Sequence, residues 1–377
     1  MEISKDRARD YISDLPQNII DKILMLLPIE DAVRTTVLSK KWMYKWITIP
    51  ELVFIDKFKW TQKLVSFIDR VLILHKGPLT NFTYYFLWSH NSLNLNQWII
   101  HLANKEIKEL IINSFCINES ITMPSYLYSC LNLTHLELFN CTLREPPPNF
   151  VGFKSLKSLI LHHPDIKSPS FDRLLSSCPV LERLKIVSLM PLYLYSCLNL
   201  THLELSRCAL KEPPSNFVGF RSLKSLNLFE VDNKSGCFDS FLSICPVLER
   251  LEIVSCRHQN IRICAPNLKW LCINATVSIT INKTRGTEDC LMLERFYNLI
   301  KVLSSLDGLE KLVVRDHFVK YLSVGYAAGK FRNATYNHLK YLELDDATFG
   351  HKELSATLFL VISSRNIQEL QISAMFN

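Results

Sequence analysis

Glycine is scarce in this chain, with nine in 377 residues. That scarcity argues against a doubly wound nucleotide fold or a propeller, and no glycine-rich phosphate loop is present. Long apolar runs are missing too. No stretch reaches about 18 uncharged apolar residues, so no membrane span is expected. Met1–Asp10 is charged and lacks an apolar core region, so no secretory signal is expected. Charge of one sign is not concentrated anywhere. The 43 basic and 36 acidic residues leave a formal charge of +7, and no run of five like charges occurs. Nucleic acid is therefore not an expected partner. The twelve cysteines form no C-x-x-C pair, so zinc is not expected. Without a signal peptide they are expected to be reduced thiols in a cytoplasmic and/or nuclear protein. There is no G-x-S-x-G and no H-E-x-x-H. The single paired histidine, His162-His163, is answered in a sister segment by Phe229-Glu230. No catalytic residue, metal or cofactor is expected, and the chain is not read as an enzyme.

What is present is repetition. Residues 123–188 laid over 190–255, a shift of 67, match at 48 of 66 positions. A compact globule rarely tolerates such an insertion, whereas a stack of similar coils does if the insert is a whole number of coils. Inside the block a shorter unit recurs, Leu-x-x-Leu-x-Leu/Ile. It begins at Leu133, Leu156, Leu181, Leu200, Leu223, Leu248 and Leu268, in steps of 23, 25, 19, 23, 25 and 20. The same signature stands at Ile107, Leu309, Leu339 and Ile367. These steps fit leucine-rich repeats. Cys141, Cys208 and Cys256 fall three residues after the last apolar position, where the pattern carries Asn or Cys, and are expected to be buried. Within each coil Leu136 and Leu138 should point inward, with His135, Glu137 and Phe139 outward. Phe171–Cys178 and Phe238–Cys245 read as short helices ended by proline. Further on, Val277, Ile279 and Ile281 read as a strand and Cys290–Leu306 as an amphipathic helix.

Residues 11–50 do not belong to the repeats. Ser13-Asp14-Leu15-Pro16 is a helix entry. Ile20, Ile23, Leu24 and Leu27 make one apolar face, and Pro28 ends it. Glu30 and Asp31 suit the start of a second helix. Leu38, Trp42 and Trp46, at i, i+4 and i+8, predict a third. A unit this small is marginal alone. Its apolar side suits either a protein interface or a cap on the open end of the solenoid.

Asp14-Leu15-Pro16, Ile20, Ile23-Leu24, Leu27-Pro28-Ile29, Asp31-Ala32-Val33 and Val37-Leu38-Ser39-Lys40-Lys41-Trp42 resemble the F-box. Lys41 and Met43 stand where that family usually carries arginines. Val71-Leu72, His75-Lys76-Gly77-Pro78-Leu79, Trp98-Ile99-Ile100 and Ile107-Lys108-Glu109-Leu110 extend the likeness to plant F-box/leucine-rich-repeat proteins that end in an FBD segment. The resemblance implies an α/β chain, with an N-terminal three-helix F-box before a curved leucine-rich-repeat solenoid with a parallel concave sheet. The expected division is an F-box at 11–50, a linker and cap at 51–105, repeats at 106–337 and a partial FBD-like segment at 338–377.

The resemblance also implies a function. The F-box would bind a Skp-type adaptor, and through it a cullin, using Leu15, Pro16, Ile20, Ile23, Leu24, Leu27, Pro28, Leu38 and Trp42. Some of these must instead form the unit's own core. The repeats would hold a protein target for ubiquitination. Outward strand positions are the candidate contacts: His135, Glu137, Phe139, His162, Arg183, Lys185, His202, Glu204, Phe229, Arg250, Trp270, Arg315 and Tyr341. Mixed charge with interspersed aromatics suits a protein or peptide. Two other readings share the scaffold: a small-molecule sensor of the plant-hormone type, and a protein-binding scaffold without ubiquitin transfer.

Overall fold

The computed structural model describes residues 11–12, 14–56, 61–86, 94–115, 120–163, 168–188, 192–232, 238–254, 263, 265–274, 308–315, 323, 336–347 and 350–374. Its contacts divide it into two compact units, Met1–Val180 and Leu181–Asn377.

The first unit opens with helices α1 (Gln17–Leu26) and α2 (Ile29–Arg34). Pro16 and Pro28 sit at their N-caps, where a missing N–H costs nothing. The expected third helix does not form. A 3-10 turn at Thr35–Val37 and another at Lys45–Thr48 replace it, and Tyr44 between them has φ of 63°. A left-handed tyrosine cannot continue a right-handed helix. Trp42 and Trp46 still turn inward and are buried beside Ile20 and Leu24, whereas Leu38 is 50% exposed.

Strand β1 (Glu51–Ile55) follows directly, then α3 (Thr61–Leu74), β2 (Asn81–Phe86), α4 (Leu95–Asn104) and β3 (Glu109–Ser114). Asp69 on α3 ties the two helices. It accepts from Trp98 Nε1 at 2.7 Å and from Asn94 Nδ2 at 2.8 Å. A short strand β4 (Ile121–Thr122), β5 (His135–Phe139), a short strand β6 (Cys141–Thr142), β7 (Ser158–His162) and α5 (Ser168–Ser176) complete the unit. Its main sheet runs β1-β2-β3-β5-β7, every pair parallel. The coils therefore start upstream of Ile107. Ile49-x-x-Leu52-x-Phe54 and Leu79-x-x-Phe82-x-Tyr84 repeat the same frame with aromatic residues, and all six are buried.

The second unit carries β8 (Arg183–Val187), β9 (His202–Ser206), β10 (Ser225–Phe229), α6 (Phe238–Ser243), β11 (Arg250–Val254) and β12 (Trp270–Asn274). β13 (Lys311–Arg315), β14 (Tyr341–Ala347), α7 (His351–Ser363) and β15 (Glu369–Ala374) follow. Its strands pair in chain order, all parallel. The expected strand around Val277–Ile281, the helix at Cys290–Leu306 and Cys256 lie outside the described residues.

The leucine frame explains why each coil is a strand against a core. All three apolar positions of every unit from Leu133 to Ile273 are at most 4% exposed. Each such side chain contributes about 1.5–3 kcal/mol on burial. Cys141 and Cys208 are buried as their place in the pattern requires.

Backbone geometry links neighbouring coils twice. At the strand entrance one carbonyl takes two N–H groups from the next coil, as Lys224 O does from Glu249 and Arg250, both at 2.9 Å. At the exits of β5, β7, β8, β9 and β10 the residue after the strand turns left-handed: Asn140, His163, Ser188, Arg207 and Glu230 have φ between 49° and 77°. That turn aims its N–H at the last strand carbonyl of the next coil. Asn140 reaches His162 O at 2.8 Å, Arg207 reaches Phe229 O at 2.9 Å and Glu230 reaches Val254 O at 2.8 Å.

The duplicated blocks repeat in local detail. His135 pairs with Ser158, and His202 with Ser225. Tyr128 packs its ring 4.9 Å from Phe150 in one copy, and Tyr195 lies 5.0 Å from Phe217 in the other. Gly152 and Gly219, at φ of 92° and 105°, occupy the same turn.

Candidate functional site

Two surfaces stand out. The first lies on the N-terminal helices. The entrance segment to α1 is fastened by the residues after α2: Trp42 Nε1 donates to Ile12 O at 3.1 Å, and Lys41 Nζ donates to Leu15 O at 2.6 Å. With Ile20, Leu24, Trp42 and Trp46 filling the interior, other apolar side chains are left outside. Leu26 is 85% exposed and Val37 87%. Met25, Leu38, Pro16 and Pro28 are exposed as well.

The expected adaptor set therefore divides. Pro16, Pro28 and Leu38 are outside, Leu15, Ile23 and Leu27 are half-buried, and Ile20, Leu24 and Trp42 belong to the core. Leu26 and Val37 escaped the reading because they fall off the i, i+3, i+4 stripe that marks the inward face. A groove of about 600 Å³ runs from the α1–α2 corner to the start of the sheet, with Met25, Leu26, Pro28, Pro50, Val53 and Asn81 in its walls.

The second surface is the polar side of the strands. In the first unit His135 and Glu137 lie on β5, with His135 Nε2 3.9 Å from Glu137 Oε2. Glu137 accepts from Asn113 Nδ2 at 2.9 Å. At the strand exits Phe139 packs between Phe115, at 5.3 Å, and His162, at 5.1 Å.

In the second unit register aligns Arg183, His202, Arg250, Trp270 and Tyr341 at the first strand position, with Lys311 between the last two and Ser225 between His202 and Arg250. Arg250 Cζ lies 4.3 Å from the Trp270 ring centroid and Lys311 Nζ 3.5 Å from that of Tyr341. Lys185 and Glu204 face each other two residues further on and form an ion pair of 2.8 Å. Phe229 stands at the exit of β10, and Arg315 ends β13 opposite Asn274.

Electrostatics follow from this placement. Partial burial, and then the Arg183 and Arg250 charges, hold His202 below its ordinary pKa. The Tyr341 hydroxyl donates to Glu343 at 2.8 Å, which pushes its pKa up to about 12. Burial drives the Cys130, Cys141, Cys197 and Cys245 thiols to about 12, which keeps them protonated and poor nucleophiles. Among the described residues no group of three or more His, Cys, Asp or Glu is placed to hold a metal ion. No helix among them is long and apolar enough to cross a membrane.

Comparison with known proteins agrees with this architecture. Residues 12–50 match the F-box domain. Residues 95–192 and 187–327 match the family described as FBD-associated F-box protein At5g56370, LRR repeats. The chain is 34% identical over 375 residues to F-box/FBD/LRR-repeat protein At1g13570 of Arabidopsis thaliana, covering 97% of this chain and 76% of that protein. It is 34% identical over 241 residues to FBD-associated F-box protein At4g10400 of the same plant, covering 61% of this chain and 58% of the relative. A solved leucine-rich-repeat protein of Leptospira interrogans is similar at 18% identity and a TM-score of 0.44, over 79% of this chain and 65% of that one.

Proposed function

Because the chain belongs to the FBD-associated F-box proteins with leucine-rich repeats, we propose that it is the substrate-recognition subunit of a Skp–cullin–F-box ubiquitin ligase. Residues 11–50 dock on a Skp-type adaptor and through it on a cullin. β1 and β2, within residues 51–105, already carry the first coils of the repeat sheet after that module; the repeats continue through 106–337, and 338–377 form a partial FBD-like segment. The strand faces hold a protein target. The chain itself does no chemistry; holding the target near a ubiquitin-charged enzyme raises effective concentration, which is the whole of its contribution to rate. It works in the cytoplasm, the nucleus or both.

One observation carries the reading. The N-terminal unit has its own core, yet Leu26 and Val37 remain more than four-fifths exposed. Exposed apolar side chains on so small a unit are what an obligate partner would cover. The adaptor contacts are assigned to Pro16, Pro28 and Leu38 with Leu26 and Val37, while Leu15, Ile23 and Leu27 line their margin.

The test is co-precipitation of the full chain with a Skp-type adaptor, beside circular dichroism. Leu26→Glu with Val37→Glu should weaken capture more than tenfold and leave the spectrum unchanged, since buried anchors often contribute about 2 kcal/mol or more. Undiminished capture by the folded variant refutes this surface, and no capture by the parent chain refutes the ligase reading.

A further inference from the structure

Most cations on the polar side of the second unit have an acidic neighbour. Lys185 pairs with Glu204 at 2.8 Å, Lys224 and Lys269 share Glu249 at 4.0 and 3.4 Å, and Lys340 meets Glu310 at 3.4 Å. The first strand position differs. Arg183, Arg250 and Lys311 have no carboxylate partner among the described residues. Arg250 and Lys311 lie instead against Trp270 and Tyr341. An aromatic face steadies a cation without neutralising it, and leaves N–H donors at its edge for an oxygen acid. Three cations are thus aligned, two of them against aromatic rings, and none is ion-paired among the described residues; the one acid of the row, Glu369, stands beyond Tyr341 on β15.

We propose that this row recognises an acidic segment of the target protein, whose Asp or Glu carboxylates bind Arg183, Arg250 and Lys311. The inference rests on the receptor reading above and names the chemistry of its target. Geometry sets the spacing. Neighbouring strands lie about 4.8 Å apart, so Arg183 is about 14 Å from Arg250, three strands on, and Arg250 about 10 Å from Lys311, two strands on. An extended peptide rises about 3.3 Å per residue and its side chains alternate in direction, so three carboxylates on one face that match the row lie about four and then another four residues apart.

The neighbouring third position favours a peptide over a nucleic acid. Glu252 and Glu343 stand there, two residues beyond Arg250 and Tyr341 on the same strands. A chain bearing a phosphate at every unit would run against them, whereas a peptide with separated carboxylates would not.

Fluorescence anisotropy with the full chain tests this. The probes are a labelled peptide of about ten residues with Asp at positions i, i+4 and i+8, the same peptide with Asn in their place, and a single-stranded RNA of equal length. The acidic peptide should bind at least tenfold tighter than its amide form. Arg183→Ala with Arg250→Ala should weaken it at least tenfold, and Lys224→Ala should not change it. The Arg183 side chain makes no hydrogen bond or ion pair among the described residues, so Arg183→Gln alone carries the test if the double variant fails to fold, with a loss of at least threefold expected.

Equal binding of the two peptides overturns the inference, as does undiminished binding by a folded arginine variant. RNA binding tighter than the peptide, and lost in the same variants, overturns it in favour of nucleic acid. Adaptor capture measured on the same samples separates the two readings. Capture without a preference for the acidic peptide sinks only this inference. Acidic-peptide binding without capture sinks only the ligase.

Discussion

The hydroxyl of Tyr195 donates to the backbone carbonyl of Lys211 at 2.7 Å, and the ring beneath it packs on Phe217 and Phe220. The other copy makes the same bond, from Tyr128 to Arg144 O at 2.6 Å. Each tyrosine pins the non-repetitive side of a coil to the segment that leaves its strand. Removing the hydroxyl keeps the ring but strands a carbonyl. Tyr195→Phe should therefore cost about 1 kcal/mol, and so should Tyr128→Phe. The sites are far apart in the chain and share no partner, so the double variant should lose close to the sum. Urea unfolding of the four proteins checks this; a double loss no larger than either single one would show that the two copies do not carry equivalent bonds.

Gly219 has a different kind of constraint. At φ of 105° a side chain is strained, and an added Cβ would lie 2.7 Å from Ile244 O. That carbonyl already accepts from Phe220 N at 2.7 Å, so it cannot retreat freely. Gly219→Ala should destabilise by about 2 kcal/mol or more. Gly152→Ala, whose Cβ would meet Ser177 O, should behave alike. A thermal melt within about 2 °C of the parent for either variant would contradict the geometry.

Acid should loosen the first unit. His75 is buried, with Nε2 donating to Ile49 O at 2.8 Å and Nδ1 unpartnered. Burial lowers its pKa from the ordinary 6.5, with Lys105 adding to the effect and the Ile49 bond opposing it. His101 is lowered too, by burial, then Lys105, then His75. A folded pKa below the unfolded one means the unfolded chain binds more protons on acidification. Stability is thus full above about pH 7 and falls as pH drops through 6.5 towards the folded values. Urea midpoints measured from pH 7.5 to 5 should decline, and His75→Gln should flatten part of the slope. A flat parent profile would count against this reading.

Whole coils should be removable. Deleting residues 123–189 joins Thr122 to Met190 and brings the second copy into the place of the first. The shortened chain should remain folded and unfold cooperatively. Loss of its thermal transition would refute the equivalence of the two blocks.

The periodic part of the fold was legible because every Leu-x-x-Leu-x-Leu/Ile unit obeys one rule of burial. The strands at Glu51 and Asn81 use that rule with Phe54, Phe82 and Tyr84, and a search weighted on leucine starts the coils too late, at Ile107. The third helix failed for a local reason. Apolar spacing at Leu38, Trp42 and Trp46 fits a helix, yet the spacing says nothing about the left-handed turn at Tyr44. The candidate surfaces were legible residue by residue but not as arrangements. Arg250 lies 20 residues from Trp270, and Lys311 lies 30 from Tyr341. Only the coil length decides that each cation meets a ring on the next strand, and those lengths vary from coil to coil.

The left-handed turn at the exits of β5, β7, β8, β9 and β10 has a consequence for how the chain can change. Asn, His, Ser, Arg and Glu all occupy it, each in the left-handed region and in the same exit position. The backbone takes the same turn under five different side chains, and two of these, Arg207 and Glu230, also pair with each other at 2.8 Å. A row of such positions, one in each of five successive coils, can drift in charge, size and hydrogen-bonding character while the backbone turn persists. A lineage that must track changing partners gains a margin on which new specificities can be written one coil at a time.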